Sequence, residues 1–253
     1  MIASLAVAII SLSTAAFAAP TADTCTRDFL KAQAEKYVAA QAAGKPGDLT
    51  TSATVAYTED FKASTLTTGI LSKPLKIDFN RSMYDTTECA IFTEVVAASN
   101  TPPYVLGTQL RFTDGALSKV ETIATTTGDW LFNAAGTLRY TKEEAWTDIP
   151  ADKRDTREAI KAAGDAYLDL FNDKTVKVPW GTPCARLEGG TYMQPNCNVG
   201  VPSGLRMLNR RYVIDEVLGS VDIFFAFGGA APDSHLFRLE AGKLRFVHTL
   251  TVM

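Results

Sequence analysis

The chain contains two histidines, His235 and His248, and the second stands where an acid–base group could act. Side-chain alternation along the last strand-like segment puts His248 on one face with Leu244, Phe246 and Leu250. An imidazole among such apolar neighbours can serve as a general acid or base near neutral pH. The alternative is a hydrogen-bonded histidine of the core. We predict that His248 is a catalytic residue.

The segment VPWGTPCARLEGGTYM, residues 178–193, concentrates groups that could hold a ligand. Its glycines predict a long loop closed by Cys184 and Cys197. Trp180 could stack on a flat substrate, and Arg186 could hold an enolate oxygen. In the alternative interpretation, Trp180 fills one end of the fold and Arg186 pairs with a nearby glutamate, Glu188. We predict Arg186 as a second catalytic residue. The predicted substrate-binding residues are Trp180, Tyr192, Phe246 and Tyr167.

Familiar catalytic and cofactor motifs are missing from the sequence. It has no G-x-S-x-G, H-E-x-x-H, Walker or G-x-G-x-x-G motif. The two histidines lie 13 residues apart, with no cysteine or acid at ligand spacing, which argues against a metal site. We therefore predict neither a metal nor another cofactor. The net charge of −3, without a basic stripe, disfavours nucleic acid and acidic membranes as partners.

Pairs of short segments recur along the chain at nearly one offset. DGALSKVETI at 114–123 matches EAGKLRFVHTL at 240–250 when Gly115 is set on Gly242. The other anchors, each 130 residues apart, are Tyr37 and Tyr167, Arg81 and Arg211, and Asp85 and Asp215. Anchors in the same order favour duplication of one unit over coincidence. The duplication places Glu121 at the position of His248, either as a second proton-transfer group or as a solvated carboxylate.

Each copy begins with helical periodicity and continues with strand-like segments. Helices are predicted over Arg27–Ala43 and Asp155–Asn172. A helix followed by an antiparallel meander predicts the α+β class, with a long N-terminal helix packed on a curved antiparallel sheet in each copy. The predicted units are residues 19–145 and 155–253, joined by a polar linker at 146–154.

The first residues and the cysteines predict an extracellular protein. Residues 1–18 are apolar and uncharged and end in the small-residue pattern AFA, as in a secretory signal peptide. In an oxidising compartment the four cysteines are expected to form disulfides. The favoured pairs, if the two copies are separate units, are Cys25–Cys89 and Cys184–Cys197. Asn80 begins the sequon Asn-Arg-Ser and is a predicted glycosylation site.

This order of elements resembles the SnoaL-like group of the nuclear-transport-factor-two-like superfamily, whose closing hairpin looks like GTQLRFTDGALSKVETI. The whole mature chain also resembles a family of secreted fungal proteins with tandem units. The segments that carry this likeness are RSMYDTTECAIFTE, TTTGDWLFN, AAGDAYLDLFNDK and VPWGTPCARLEGG. That family resembles in turn the hetero-Diels–Alderases that join a tropolone-derived quinone methide to a terpene alkene.

The resemblance implies two cone-shaped units that enclose apolar pockets. It favours a secreted, cofactor-independent enzyme of the cyclase or lyase type, with a small apolar or aromatic metabolite as substrate. A hetero-Diels–Alderase is its most specific form, in which Arg186 or His248 would hold a carbonyl oxygen. One alternative is a non-catalytic secreted protein for ligand binding or host interaction. A weaker one is an isomerase that uses a pocket carboxylate such as Asp169 or Asp215. Analogy with the superfamily, whose cones pair through their sheets, predicts that the two halves form an internal pseudo-dimer, with a homodimer of the whole chain as the alternative.

Overall fold

A computed structural model describes residues 25–198 and 200–253. The helices in this part of the chain are α1 (Arg27–Ala43), α2 (Ala134–Glu143) and α3 (Arg157–Asp169). The strands of the first half are β1 (Thr51–Glu59), β2 (Lys62–Ser64), β3 (Phe79–Asp85), β4 (Ala90–Ala97), β5 (Tyr104–Thr113) and β6 (Ala116–Thr126). Those of the second half are β7 (Trp180–Glu188), β8 (Thr191–Met193), β9 (Leu208–Asp215), β10 (Ser220–Phe227), β11 (Ala231–Glu240) and β12 (Lys243–Thr251). The predicted signal peptide lies outside the described residues.

The strands form two six-stranded sheets of the same topology. The strand order is β2-β1-β6-β5-β4-β3 in the first sheet and β8-β7-β12-β11-β10-β9 in the second. In each sheet one pair, β1 with β6 or β7 with β12, runs parallel, and the other pairs run antiparallel. We call α1 with β1–β6 the first unit and α3 with β7–β12 the second unit.

The predicted α+β class, with a long helix on an antiparallel sheet in each unit, is wrong. The structure is mostly β, with 42% of its residues in strands and 21% in helices. Both sheets are mixed, because the strand that follows each helix pairs in parallel with the last long strand of its unit, a pairing that the sequence did not predict. The segment predicted as a long loop forms β7 and β8, the counterpart of β1 and β2. The helix predicted for the second copy, Asp155–Asn172, is also shorter than expected, since α3 runs from Arg157 to Asp169.

The two sheets pack face to face, and each carries a helix on its outer face. Phe92 of β4 and Phe224 of β10 meet edge to face between the sheets, with ring centroids 6.2 Å apart. On the outer faces, Tyr37 of α1 and Tyr167 of α3 are both buried against their own sheets. Helix, sheet, sheet and helix therefore form four layers. Both faces of the central strands are covered, which explains why the whole of β4 is buried.

Two buried aspartates join the units by reciprocal bonds. Asp85, at the end of β3, accepts from Nη1 and Nη2 of Arg157 at 2.8 and 2.7 Å and from the amide of Ile214 at 2.9 Å. Asp215, at the end of β9, accepts from Nη1 of Arg27 at 2.7 Å and from the amide of Tyr84 at 3.0 Å. Each aspartate thus binds the first residue of the other unit's helix. We call this pair of contacts the reciprocal latch.

Both disulfides have the pairing expected for two separate units, Cys25–Cys89 and Cys184–Cys197. The first ties the start of α1 to the turn between β3 and β4. The second ties β7 to the segment that follows β8. None of the helices in the described ranges is long and apolar enough to cross a membrane.

Close approach between α3 and its sheet depends on Gly164. A Cβ atom at this position would lie 2.8 Å from Cδ1 of Ile223 and 3.1 Å from Cγ1 of Val221. We expect Gly164→Val to lower the free energy of unfolding by about 1–3 kcal/mol, because overpacking displaces the helix from the sheet. Urea unfolding measures the change. Gly47→Val is the matched control, since a Cβ there meets open space. Equal losses in the two variants would contradict the expected overpacking.

Candidate functional site

The second unit contains a cavity of about 410 Å³ on the outer face of its sheet. It lies between α3, strands β7 and β10–β12, and the segment that follows β8. The lining residues are Trp130, Tyr167, Phe171, Arg186, Glu188, Gly200, Pro202, Phe227, Ala231, His235, Thr251 and Met253. Aromatic rings form much of the wall: Phe171 meets Tyr167 and Phe227 at centroid distances of 5.8 and 5.5 Å. Such a wall suits an apolar or aromatic ligand.

A histidine oriented by a buried aspartate faces this cavity. Nδ1 of His235 lies 2.6 Å from Oδ1 of Asp233, whose other oxygen accepts from the hydroxyl of Thr251 at 2.6 Å. Burial raises the pKa of Asp233, and His235 acts in the opposite direction. Nδ1 is engaged, so Nε2 is the ring nitrogen left for a ligand. A carboxylate that holds one nitrogen fixes the tautomer and orientation of the imidazole.

A buried guanidinium forms the other polar part of the cavity. Arg186 on β7 is 5% exposed; its Nη1 lies 3.3 Å from the Tyr167 hydroxyl and its Nη2 lies 3.2 Å from Oε2 of Glu188. Its Nε has no hydrogen-bond partner within residues 25–198 and 200–253. Burial raises the pKa of Tyr167 to about 12, so its phenol is neutral and keeps a proton to donate. Arg186 and Tyr167 can together hold an anionic oxygen.

The equivalent space in the first unit is filled by its own side chains. Tyr57 stands at the position of Arg186, and its hydroxyl donates to Glu59 at 2.8 Å. Thr108 stands at the position of His235 and accepts from the hydroxyl of Tyr37 at 2.7 Å. Ile70 is buried in the same core. The polar groups suited to chemistry therefore occur in the unit in which this position is hollow.

Residues 153–251 match a domain of unknown function, DUF8021. The DUF8021 match begins just before α3 and ends with β12, so it includes most of the cavity wall. No curated protein matches the chain. The resemblance to SnoaL-like proteins stays a prediction.

Two of the predicted site residues meet in the cavity of the second unit. Arg186 and Tyr167 both line it. Trp180 packs edge-on against Tyr167, at a centroid distance of 5.5 Å, but does not itself line the cavity. Tyr192 stacks on Tyr140 at a centroid distance of 4.3 Å, and Phe246 stacks on Trp146. Neither Tyr192 nor Phe246 lines the cavity.

His248 lies between the two sheets rather than in the cavity. It is 3% exposed, and its Nδ1 and Nε2 lie 2.9 and 2.6 Å from carboxylate oxygens of Glu94 and Glu144. Burial lowers the pKa of His248, but the two carboxylates outweigh it and raise the value to about 9. With both nitrogens engaged, the imidazolium has no position for a substrate. We call His248, Glu94 and Glu144 the histidine clamp.

The carboxylates considered for an isomerase also lie outside the cavity. Asp169 pairs with Arg210, and Asp215 belongs to the reciprocal latch. Asn80 is exposed on β3, the edge strand of the first sheet, where a glycan would have room. The described residues contain no group of three or more acids, histidines or cysteines that could hold a metal ion.

Sequence reasoning missed His235 and Asp233. The signal was present in APDSHLF, where an acid and a histidine are separated by one residue. On a strand such a pair shares one face, so the two side chains can bond directly.

Proposed function

We propose that the second unit is an acid–base enzyme for a small, largely apolar molecule that carries a carbonyl or phenolic oxygen. The observation that supports this best is the presence of two complementary groups in one aromatic cavity. His235 can move a proton through Nε2, and Arg186 can stabilise the negative charge that forms on oxygen. The reaction type is isomerase, lyase or cyclase.

In the proposed step, Nε2 of His235 accepts a proton from a C–H or O–H bond of the substrate. The electrons of that bond move toward the carbonyl oxygen, where Arg186 and the Tyr167 hydroxyl hold the resulting oxyanion. Return of the proton to a different carbon completes an isomerisation. Transfer of the proton to a departing hydroxyl releases water and leaves an unsaturated product.

The most specific form of the proposal is a dehydration followed by cyclisation. Loss of water from a hydroxymethyl phenol or tropolone gives a quinone methide, and the aromatic wall could hold it against an alkene. Orientation of two reactants can supply about 7–11 kcal/mol of the barrier reduction. The aromatic rings of Phe171 and Phe227 would provide that orientation.

An extracellular location belongs to the same proposal. It is supported by the two disulfides, because such bonds persist in oxidising compartments. It is also supported by the sequence of residues 1–18, which lie outside the described part of the chain.

The test is turnover by the purified protein and its variants on hydroxymethyl phenols and enolisable ketones, followed by mass spectrometry of the products. We expect His235→Gln to reduce turnover by about 10²–10⁴-fold, because the proton acceptor is lost. Arg186→Met should weaken ligand binding as well. Tyr57→Phe is the matched control, since Tyr57 occupies the position of Arg186 in the filled unit.

Native mass spectrometry of the same samples separates the enzyme from a ligand carrier. A metabolite that stays bound and unchanged, with His235→Gln equal to the wild type, would favour a non-catalytic binding protein. If Tyr57→Phe had the larger effect on turnover, the site would have been assigned to the wrong unit.

A further inference from the structure

A tryptophan from the segment between the units lies between two arginines at one end of the sheet–sheet interface. The Trp146 ring is 4.2 Å from the Arg81 guanidinium and 5.7 Å from that of Arg238. It also stacks on Phe246 and meets His248 edge to face, both at centroid distances of 5.6 Å. This end of the interface is thus closed by an aromatic residue held through cation–π contacts.

The same segment binds through its main chain and through a carboxylate. Nη2 of Arg81 donates to the carbonyl of Thr141 at 3.0 Å, and Nη2 of Arg238 donates to the carbonyl of Thr147 at 2.9 Å. Glu144 accepts from Nε1 of Trp146 at 2.7 Å and contacts the imidazolium of the histidine clamp. The arginines therefore hold the main chain of a peptide whose acid meets the imidazolium, while Arg81 and Arg238 pair with Glu94 and Glu240 of the sheets.

The duplication places an equivalent site at the other end of the interface. Arg211 of β9 corresponds to Arg81 of β3, because each faces the same position of the neighbouring strand. Arg111 of β5 corresponds in the same way to Arg238 of β11. Repeat alignment from Gly115 to Gly242 sets Lys119 on Phe246 and Glu121 on His248.

This equivalent site is an open cleft of about 460 Å³ rather than a closed end. Its lining residues are Glu88, Arg111, Lys119, Arg157, Lys161, Arg211, Tyr212 and Ile214. We call it the basic cleft. Phe61 lies over the Arg211 guanidinium at 4.6 Å, so part of the aromatic contact is already present.

Cations outnumber the acids that neutralise them in the basic cleft. Arg157 forms an ion pair with Asp85, and Lys161 forms one with Asp165. Arg211 and Lys119 share one carboxylate, that of Glu121, at 2.8 Å each. Arg111 donates to the neutral oxygens of Gln109 and Tyr212 within the described residues. Among the described lining residues Glu88 is the one acid, against five cations, so an acidic ligand would complete the charge balance.

We propose that the basic cleft binds an acidic peptide segment with a central aromatic residue. The chemistry is that of the chain's own Glu143-Glu144-Ala145-Trp146-Thr147-Asp148, which occupies the equivalent end. Arg111 and Arg211 would donate to peptide carbonyls on either side of the aromatic ring, and Lys119 would meet an acid. The cleft shares no lining residue with the cavity of the second unit, so this proposal stands apart from the catalytic one.

The test uses a labelled synthetic peptide of residues 141–149 and fluorescence anisotropy with the full chain. We expect saturable binding that weakens as salt increases, because exposed charges are screened. Replacing the peptide's tryptophan by alanine should weaken binding about tenfold, in line with a partly desolvated cation–π contact. Reversing the peptide's acids to lysines should abolish binding.

Protein variants locate the binding to the basic cleft. Arg111→Gln with Lys119→Gln should weaken binding about tenfold or more, since both carry charge that meets the peptide. Lys36→Gln with Lys45→Gln removes the same charge from exposed positions of the first unit and should leave binding unchanged. If the loss of Arg111 disturbs folding, Lys119→Gln alone tests the same prediction and should also weaken binding. No saturable binding, or equal binding by all variants, would overturn the proposal.

Discussion

Asp85→Ala should lower the free energy of unfolding by about 3 kcal/mol, the lower end of the range for breaking a buried ion pair. The side chain of Asp85 is fully buried, whereas that of Arg157 is 20% exposed and partly solvated after the change. The variant also leaves the buried amide of Ile214 without its acceptor, and an unpaired buried donor carries its own cost. Urea unfolding followed by circular dichroism measures the loss.

An exposed ion pair provides the control for the reciprocal latch. Arg139 and Glu143 lie on the surface of α2, with side chains 67% and 54% exposed. Glu143→Ala should change stability by less than about 0.5 kcal/mol, as solvated pairs within one helix do. Asp215→Ala should resemble Asp85→Ala, because it breaks the equivalent contact to Arg27. If Asp85→Ala were no worse than Glu143→Ala, the latch would not hold the units together.

Features set by local chemistry were predictable from the sequence. The bounds of α1 and the buried faces of Tyr37 and Tyr167 follow from local periodicity, and the pairing of the cysteines follows from the division of the chain into two units. Gly115 and Gly242 have φ values of 76° and 73° at equivalent hairpins, as the repeat alignment required. These features depend on a few neighbouring residues, and so a single sequence contains them.

The fold class depended on pairing between distant segments and was not predictable in the same way. β7 reads WGTPCARLE, whose glycine and proline resemble a loop, and it forms a strand because it aligns with β12 more than 60 residues later. Parallel pairing of this kind leaves no hairpin turn in the sequence. The mixed sheets were therefore missed in both units.

The candidate site was half predictable for a related reason. Alternation correctly put His248 on a buried face of β12 with Leu250, but an irregularity in the register places Leu244 on the opposite face, in the core of α3. Both faces are buried, however, one by the other sheet and one by α3 and the cavity, and alternation cannot tell these layers apart. Arg186 and Tyr167, predicted as site residues like His248, line the cavity. His248 belongs between the sheets, and His235, one strand away, faces the cavity.

His248→Gln should destabilise the protein at mildly acidic pH by about 3–5 kcal/mol, because it leaves two buried carboxylates without their cation. Burial opposes ionisation of Glu94 and Glu144, but the imidazolium outweighs it and lowers the pKa of both carboxyls. Arg81, 3.4 Å from Glu94, compensates only one of them directly. Urea unfolding of the variant and the wild type at one pH measures the difference.

The effect of His248→Gln should shrink as the pH rises. The pKa of His248 is raised in the folded protein from 6.5 to about 9, so its contribution is complete below pH 6.5 and lost through pH 9. The loss amounts to about 3 kcal/mol, since one pKa unit corresponds to about 1.4 kcal/mol. Glu94 and Glu144 act in the opposite direction, because their lowered pKa values stabilise the fold above pH 4.5 and cease to do so in acid. The clamp is therefore strongest between about pH 4.5 and 6.5.

The stability difference between the wild type and His248→Gln reports the clamp better than the wild-type curve alone. Burial raises the pKa of Asp222 from 3.8 to about 8, so the protein loses stability between these pH values, where the acid is ionised in the unfolded chain and still protonated in the folded one. Asp222 bonds to Gln109 and Ser234 and makes no contact with the clamp, so its contribution cancels in the difference. A difference that stayed constant from pH 6.5 to pH 9 would mean that His248 is neutral in the folded protein, and that the carboxylates are held by Arg81 and Trp146 instead.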